Sequence, residues 1–225
     1  MTGQLAFDLP ARETYRRADF FASPANAAAL AAVADPDLTR LLLVGPPGAG
    51  KTHLAHIWAS TTGAAIIPLD SLPEVLPQLT PAAAIVIDAA DRAAGHEAPE
   101  TALFHLHNLL AAQGRLLLTA TTPPRDWGVR LPDLLSRLQA LPLARLDPPD
   151  DALLSAVLAK LFADRQIAIS ANLIPYLVSR MTRSIAFARH LVARLDAHAL
   201  AAGRPVSRSL AADVLANLLD SQPPE

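Results

Sequence analysis

The stretch Gly45-Pro46-Pro47-Gly48-Ala49-Gly50-Lys51-Thr52 decides the fold predicted for this chain. It matches the pattern G-x-x-x-x-G-K-[ST] of a phosphate-binding loop, and it directly follows the apolar run at residues 41–44. Glycines let backbone N–H groups turn towards phosphate oxygens, the lysine brings a positive charge to the β- and γ-phosphates, and the threonine hydroxyl is a ligand for Mg²⁺. Residues 45–52 therefore predict a cradle for ADP or ATP with Mg²⁺, between a strand and a helix.

A second apolar run, residues 85–87, ends in Asp88 at a suitable distance after the cradle. A carboxylate at a strand end suits the water shell of Mg²⁺, so Asp88 and Thr52 are predicted to hold the metal through water. Many hydrolytic ATPases of this type have an acidic residue next, which orients the attacking water, but here the residue is Ala89. A methyl group cannot orient water. We therefore expect at most weak intrinsic hydrolysis, unless Asp91 or a partner substitutes.

The rest of the chain predicts an α/β fold with a mainly parallel sheet flanked by helices. Short apolar runs occur at residues 41–44, 65–69, 85–87, 116–119 and 141–146, and helical segments at 52–60 and 97–112 lie between them. Parallel strands need such crossover connections. A further helix is predicted at residues 26–34, capped by Ser23 with Pro24 at its first position.

After Asp147-Pro148-Pro149 the strand signals stop, and helical patterns follow at residues 150–165, 171–181, 184–202 and 207–219. Two successive prolines disfavour regular structure and indicate a joint. We therefore predict a flexible tail at residues 1–20, a nucleotide-binding subdomain at 21–148 and a small all-helical lid subdomain at 149–220.

The composition excludes several classes of protein. None of the 225 residues is Cys, which excludes disulfides and thiolate metal sites, and the seven histidines show no metal-ligand spacing. No apolar run approaches the ~20 residues that cross a bilayer, and the first residues lack the pattern of a secretory signal, so we expect a cytoplasmic protein without membrane contact. A net charge of −2 gives no general attraction to phosphate backbones, so we expect contact with DNA only indirectly.

Together these motifs resemble those of the DnaA-related AAA+ proteins. Two more carry the resemblance: Leu116-Leu117-Leu118-Thr119 before Pro123-Pro124, and the more specific Leu131-Pro132-Asp133-Leu134-Leu135-Ser136-Arg137-Leu138. The closest similarity is to the Hda family, regulators that inactivate the replication initiator DnaA. The resemblance covers nearly the whole chain, adds His53 to the nucleotide-binding residues and implies DnaA as the partner. DnaA has a further helix-turn-helix domain, whereas this sequence stops after the lid helices, which favours the regulator as an expectation.

The resemblance also implies roles for arginines outside the cradle. Arg137 corresponds to an arginine finger, which enters a neighbour's nucleotide site and stabilises charge on the transferred phosphoryl group. Read from the pattern alone, Arg137 equally fits a surface arginine in an ordinary salt bridge. Arg183 matches the sensor 2 position, with Arg180 and Arg189 as rivals, and Thr121 falls at the sensor 1 position, where these proteins commonly have Asp.

The first residues carry one more motif of this family. Gln4-Leu5-Ala6-Phe7-Asp8-Leu9 resembles the Q-L-x-L-x-L sequence that docks replication proteins on the sliding clamp, with Phe7 in place of the more usual Leu. Gln4 would hydrogen-bond at a pocket rim while Leu5, Phe7 and Leu9 provide apolar anchors. The resemblance thus predicts a clamp-docked stimulator of ATP hydrolysis by DnaA, with self-association left open.

Two other functions compete with this reading. A helicase loader or transposition helper uses a similar cradle and acts on DNA, but it predicts an acidic pair where this chain has Asp88-Ala89. A small-molecule kinase with a phosphate-binding loop would need a catalytic acid or base and a mobile arginine. Asp91 would have to be the acid or base and Arg125 the mobile arginine, and a kinase does not need the C-terminal helices.

Overall fold

A five-stranded parallel sheet in the order β2-β3-β4-β1-β5 forms the centre of the molecule. The computed structural model describes residues 15–220. The strands are β1 Arg40–Val44, β2 Ala65–Ile66, β3 Ala84–Ile87, β4 Arg115–Ala120 and β5 Leu143–Arg145. All pairings are parallel, as predicted from the helical crossovers. The clamp motif predicted at residues 4–9 lies outside the described residues.

Helices cover both faces of the sheet. They are α1 Ala27–Ala34, α2 Lys51–Thr62, α3 Leu72–Val75, α4 Glu97–Leu109 and α5 Pro132–Gln139. The β1 side chains alternate between the faces: Leu41 and Leu43 pack with α1 and α2, while Leu42 and Val44 pack with α3, α4 and α5. This alternation makes a layer of helices on each side of the sheet, each with its own hydrophobic core.

The C-terminal helices bury a separate core. They are α6 Asp151–Asp164, α7 Leu173–Val178, α8 Ile185–Ala202 and α9 Arg208–Asp220. The side chain of Asp150 begins α6 by accepting a hydrogen bond from the N–H of Leu153 at 2.7 Å. Phe162, Leu177 and Leu191 are central in this core, which contains no residue of the sheet. Among residues 15–220, no helix is both long and apolar enough to span a bilayer.

Several predicted boundaries are wrong by a few residues, and prolines account for most of the differences. β2 ends at Ile66 rather than at residue 69, because Pro68 has no N–H to donate and leads into a 3-10 turn. β5 begins after Pro142, which equally cannot donate. Pro24 lies in a turn before α1 and not at its first position, and the carboxamide of Asn26 accepts from the N–H of Ser23 there.

Candidate functional site

The cradle connects β1 to α2, as the sequence predicts. Gly48 and Gly50 have φ angles of +73° and +103°, a region that favours glycine because it has no Cβ. α2 begins at Lys51, and the first N–H groups of a helix have no partner within the helix. The turn therefore brings backbone donors, the positive end of a helix dipole and a lysine to one place, which suits a phosphate.

The ammonium group of Lys51 lies over the cradle. It donates hydrogen bonds to the carbonyl oxygens of Gly45 at 2.6 Å and Pro46 at 2.9 Å. Burial lowers the pKa of Lys51, and the charges of Asp91 and Asp88 oppose this change. The lysine is thus a partly desolvated cation beside two carboxylates, and its charge is available to a phosphate group that approaches the cradle.

Two threonine hydroxyls hold the carboxylate of Asp88. Thr52 Oγ1 donates to Asp88 Oδ2 at 2.9 Å, and Thr119 Oγ1, at the end of β4, donates to Asp88 Oδ1. The Thr52 hydroxyl and the Asp88 carboxylate are hard oxygen ligands on adjacent elements, the donor set that Mg²⁺ prefers in such sites. Residues Thr52 and Asp88 therefore fit a water-coordinated Mg²⁺ next to the cradle.

Ala89, the residue after Asp88, has an unusual backbone conformation and a side chain with no group for acid, base or metal chemistry. Ala89 has a φ of +53°, and its N–H donates to Thr119 Oγ1 at 2.9 Å. Thr119, for which the sequence predicts no contact with the cradle, is thus the residue of β4 that contacts Asp88. Thr121 instead binds Asp91 through its N–H, at 2.8 Å, and through its hydroxyl. The hydroxyl of Thr121, at the predicted sensor 1 position, therefore donates to Asp91 and not to Asp88.

A cleft of about 950 Å³ opens beside the cradle. Its walls come from the cradle, from the segment before α1 and from the lid helices. Residues that line it include Tyr15, Phe20, Phe21, Asn26, Gly48, Lys51, Thr52, His53, Leu161, Ile185, Ala186 and Arg189. The volume lies within the range of small-molecule sites, and the lining combines apolar and aromatic surface with a polar, cationic end.

His53 supports the cleft wall through aromatic contacts. Its Nε2 lies 3.0 Å from the carbonyl oxygen of Arg16, and its ring meets those of Tyr15 and Phe20 edge to face, at centroid distances of 5.4 and 5.2 Å. Burial lowers the pKa of His53, which favours the neutral ring. Tyr15 also stacks on His56 at 4.1 Å. Residues 15–20, predicted as part of a flexible tail, therefore pack against α2.

The lid contacts the cradle directly. The N–H of Ile185, the first residue of α8, donates to the carbonyl oxygen of Gly48 at 2.9 Å. Arg183 does not line the cleft. Its guanidinium binds Asp151 Oδ1 at 2.7 Å and the carbonyl oxygen of Pro149 at 3.1 Å. Arg189, the alternative sensor 2 candidate from the sequence, belongs to α8 and does line the cleft.

Arg137 lies away from the cradle, in the last turn of α5. Its guanidinium carbon is 5.1 Å from the centroid of the Phe104 ring, and its charge contributes to the lowered pKa of His107. His107 in turn lies 3.4 Å from Arg40, at the start of β1, whereas the cradle follows the end of β1. Since α5 leads into the start of β5, which is parallel to β1, Arg137 lies towards the amino edge of the sheet and the cradle at the carboxyl edge.

Comparison with known proteins agrees with this architecture. Residues 41–125 match the model of the ATPase family associated with various cellular activities (AAA). Domain III of the replication initiation protein DnaA from Thermotoga maritima is similar in structure, with a TM-score of 0.79 and 20% sequence identity over 90% of this chain and 96% of that chain. The fold is that of an AAA+ module. It confirms the predicted fold class, including the helices after the sheet.

Other solved structures resemble this chain over a smaller share of their own length. The AMPPCP-bound DnaA from Aquifex aeolicus matches with a TM-score of 0.64 and 19% identity over 78% of this chain, which spans 63% of that chain. The Holliday junction branch migration motor RuvB from Thermotoga maritima matches with a TM-score of 0.63 and 21% identity, over 86% of this chain and 67% of that chain. At these identities the similarity concerns the fold alone.

Proposed function

We propose that this AAA+ module is a nucleotide-dependent adaptor that stimulates ATP hydrolysis by DnaA, and so inactivates it, while bound to the sliding clamp. The observation that carries the proposal is the position of Arg137. It lies towards the opposite edge of the sheet from the cradle, because the last turn of α5 leads into the start of β5, whereas the cradle follows the end of β1. An arginine so placed serves a partner's nucleotide rather than its own. In the Hda family, which the motifs resemble, this arginine acts on DnaA.

The nucleotide of the adaptor itself binds in the cleft beside the cradle. Backbone donors and Lys51 take the phosphates, and the aromatic wall with Tyr15, Phe20 and Phe21 offers apolar surface for a base. Thr52 and Asp88 hold Mg²⁺ through water. The bound metal would supply positive charge to the phosphate oxygens. A structurally similar DnaA binds the ATP analogue AMPPCP, which supports an adenine nucleotide, ADP or ATP, as the ligand.

The adaptor hydrolyses its own nucleotide slowly. Hydrolysis requires a group that orients and polarises water, and Ala89 has none to offer next to Asp88. Asp91, the other carboxylate near Lys51, accepts two hydrogen bonds from Thr121. The nucleotide thus orders the module, and the chemistry takes place in the partner's site, where an inserted arginine contributes roughly 10³–10⁵ in rate.

Residues 4–9 attach the module to the clamp. Gln4 binds at the rim of a pocket, and Leu5, Phe7 and Leu9 enter it, in the manner of a short linear motif. Attachment raises the local concentration of the module at newly replicated DNA, so the module itself needs no strong affinity for DNA. The net charge of −2, which gives no general attraction to DNA, is compatible with recruitment through the clamp.

The competing function is that of a helicase loader or transposition helper. Such an ATPase turns over its own nucleotide and needs a carboxylate to activate water. The backbone at Ala89, with a φ of +53°, is fixed by the hydrogen bond of its N–H to Thr119, and its methyl group cannot replace that carboxylate. This geometry favours the adaptor.

The decisive experiment measures hydrolysis of ATP bound to DnaA in the presence of DNA-loaded clamp and this protein. Arg137→Ala should reduce the stimulated rate at least about 10²-fold, since the finger stabilises the transferring phosphoryl group. Gln4→Ala/Leu5→Ala should remove stimulation at low protein concentration by weakening the clamp interaction. Arg208→Ala is the matched control, because Arg208 also packs on an aromatic ring, that of Tyr176 at 4.6 Å, but in the lid. Full stimulation by Arg137→Ala would reject the proposal, and stimulation independent of clamp and tail would reject its docking step.

A further inference from the structure

The α4 helix presents three residues to the region that carries Arg137. Glu100, Phe104 and His107 are spaced at i, i+4 and i+7, so they share one face of the helix. Glu100 accepts hydrogen bonds from the N–H groups of Arg130 and Leu131, directly before α5. The ring of Phe104 lies under the guanidinium of Arg137, and the charge of Arg137 contributes to the lowered pKa of His107. One face of α4 therefore contacts both the start of α5 and its last turn.

Arg137 is half-buried, and the contact described for its guanidinium is aromatic rather than ionic. Within residues 15–220, its guanidinium has neither an ion pair nor a hydrogen bond, and its described contact is the Phe104 ring at 5.1 Å. A carboxylate would hold the side chain more firmly, but it would neutralise the charge and occupy two N–H donors. An aromatic face attracts the cation and restricts its orientation while all five donors remain available.

The neighbours of Arg137 also keep its charge uncompensated. His107 is buried, and burial, Arg40 and Arg137 lower its pKa to about 4, so the ring is neutral near pH 7. Arg40 donates to Nε2 of His107, because an arginine cannot accept, and the neutral ring then carries its proton on Nδ1. The ring thus binds Arg40 without adding a further positive charge beside Arg137.

We infer that Phe104 is a positioning residue for Arg137: its ring orients the guanidinium at the edge of α5 and leaves the N–H donors for an anionic group on another protein chain. The role in hydrolysis rests on the proposed function, whereas the positioning of the side chain does not. Phe104 packs against the core on its own side of the sheet and does not line the cleft beside the cradle, so its effect on the reaction passes through Arg137. Its loss should therefore lower the rate of the stimulated step and leave the affinity for the partner unchanged.

The first test measures the pKa of His107 by NMR and needs no partner. Arg137→Gln should raise this pKa by a measurable fraction of a pH unit, since it removes the smallest of the three effects that lower it, a nearby positive charge. Phe104→Leu should raise it in the same direction, because the released guanidinium moves into solvent, and Phe104→Tyr should preserve the wild-type value. In the Arg137→Gln background, Phe104→Leu should have no further effect. The inference would be overturned if Phe104→Leu raised the pKa of His107 equally in the wild-type and Arg137→Gln backgrounds, or raised it in neither.

The second test uses the hydrolysis assay with DnaA and the clamp. Phe104→Leu should lower the maximal stimulated rate by roughly three- to thirtyfold, the range expected for losing a cation–π contact, without changing the half-maximal concentration. Phe104→Tyr should retain stimulation. A change only in half-maximal concentration would contradict positioning. If the wild-type protein fails to stimulate DnaA, the proposed function is wrong, and the His107 measurement alone decides whether Phe104 positions Arg137.

Discussion

The hydroxyl of Thr119 connects two strand ends at the carboxyl edge of the sheet. It donates to Asp88 Oδ1 and accepts from the N–H of Ala89 at 2.9 Å, and the side chain is fully buried. Ala89 has a left-handed backbone, which costs about 1–2 kcal/mol for a residue with a Cβ. One hydroxyl thus orients the Asp88 carboxylate and gives the backbone N–H of Ala89 its acceptor.

Thr119→Val tests this role with a side chain of the same shape. The variant leaves the Ala89 N–H without its acceptor and Asp88 without one of its donors, so the free energy of unfolding should fall by about 1–3 kcal/mol. The Mg²⁺ concentration needed for tight nucleotide binding should rise. Urea unfolding and nucleotide titrations at several Mg²⁺ concentrations measure the two effects. Thr119→Ser retains the hydroxyl and is the control; a valine variant equal to wild type in both measurements would contradict the role.

The sequence predicts the positions of contiguous residues in the candidate site better than those of residues that topology brings together. The cradle and Asp88 are predictable because their spacing along the chain and the adjoining apolar runs carry the signal. Thr119 contacts Asp88 because β4 lies between β3 and β1, and this order depends on the packing of the whole sheet. Thr121 is two residues further on and binds Asp91 instead, so a count along the chain could not separate the two threonines.

At the level of elements, the junction of α4 and α5 is fixed by a buried carboxylate. Glu100 is 2% exposed and accepts from the N–H groups of Gly95 at 2.7 Å, Arg130 at 3.0 Å and Leu131 at 2.9 Å. Burial raises the pKa of Glu100, but these hydrogen bonds and the charge of Arg130 together lower it below the ordinary value. The ionised side chain therefore stabilises the loops on both sides of α4.

Glu100→Gln should lower the free energy of unfolding at pH 7 by about 1–3 kcal/mol, because the amide turns a donor towards N–H donors or loses one of the bonds. The pKa of Glu100 is lower in the folded than in the unfolded chain, so its stabilisation is complete above the unfolded value of about 4.3 and disappears as the pH falls through the folded value. The difference in the free energy of unfolding between Glu100→Gln and the wild type should accordingly shrink below about pH 4. Urea unfolding across this pH range measures it. The control is Glu97→Gln, at an exposed residue in the first turn of the same helix; a constant difference in the free energy of unfolding at all pH values would exclude the charge as the cause.

The existence and type of the elements were predictable, and their ends were less so. The runs of residues 85–87 and 116–119 correspond to β3 and β4, because continuous apolar residues between turn signals are typical of buried parallel strands. The short helix α3 and the 3-10 turns beside it were not predicted, since Pro73 and Pro77 suggest only a loop. The polar composition of residues 15–20 concealed their packing, which depends on the rings of His53 and His56 in α2.

At the scale of the whole molecule, the lid and the nucleotide-binding module meet at Gly48. The N–H of Ile185 donates to its carbonyl oxygen at 2.9 Å, and a Cβ on Gly48 would lie 1.9 Å from Ser184 Oγ. Gly48 occupies an unspecified position of the phosphate-binding pattern, and only the structure relates it to a residue of α8. A second contact at the cleft joins the lid to the segment before α1: Lys160 of α6 pairs with Asp19 at 3.1 Å, and both residues line the cleft. The cradle is therefore also the place where the position of the lid is determined.

Gly48→Ala should consequently disturb the lid as well as the cradle. Left-handed backbone strain accounts for about 1 kcal/mol, which is roughly 2–4 °C in Tm for a chain of this size. Gly128→Ala is the matched control, since Gly128 has a φ of +77° and no atom within 4 Å of an added Cβ. Thermal unfolding without nucleotide should show a larger loss for Gly48→Ala than for Gly128→Ala. In a Ser184→Gly background the clashing Cβ and Oγ are absent, at a loss of only a few tenths of a kcal/mol in helix capping. The excess cost of Gly48→Ala should therefore decrease there; an unchanged excess would show that the contact with Ser184 does not limit the position of the lid.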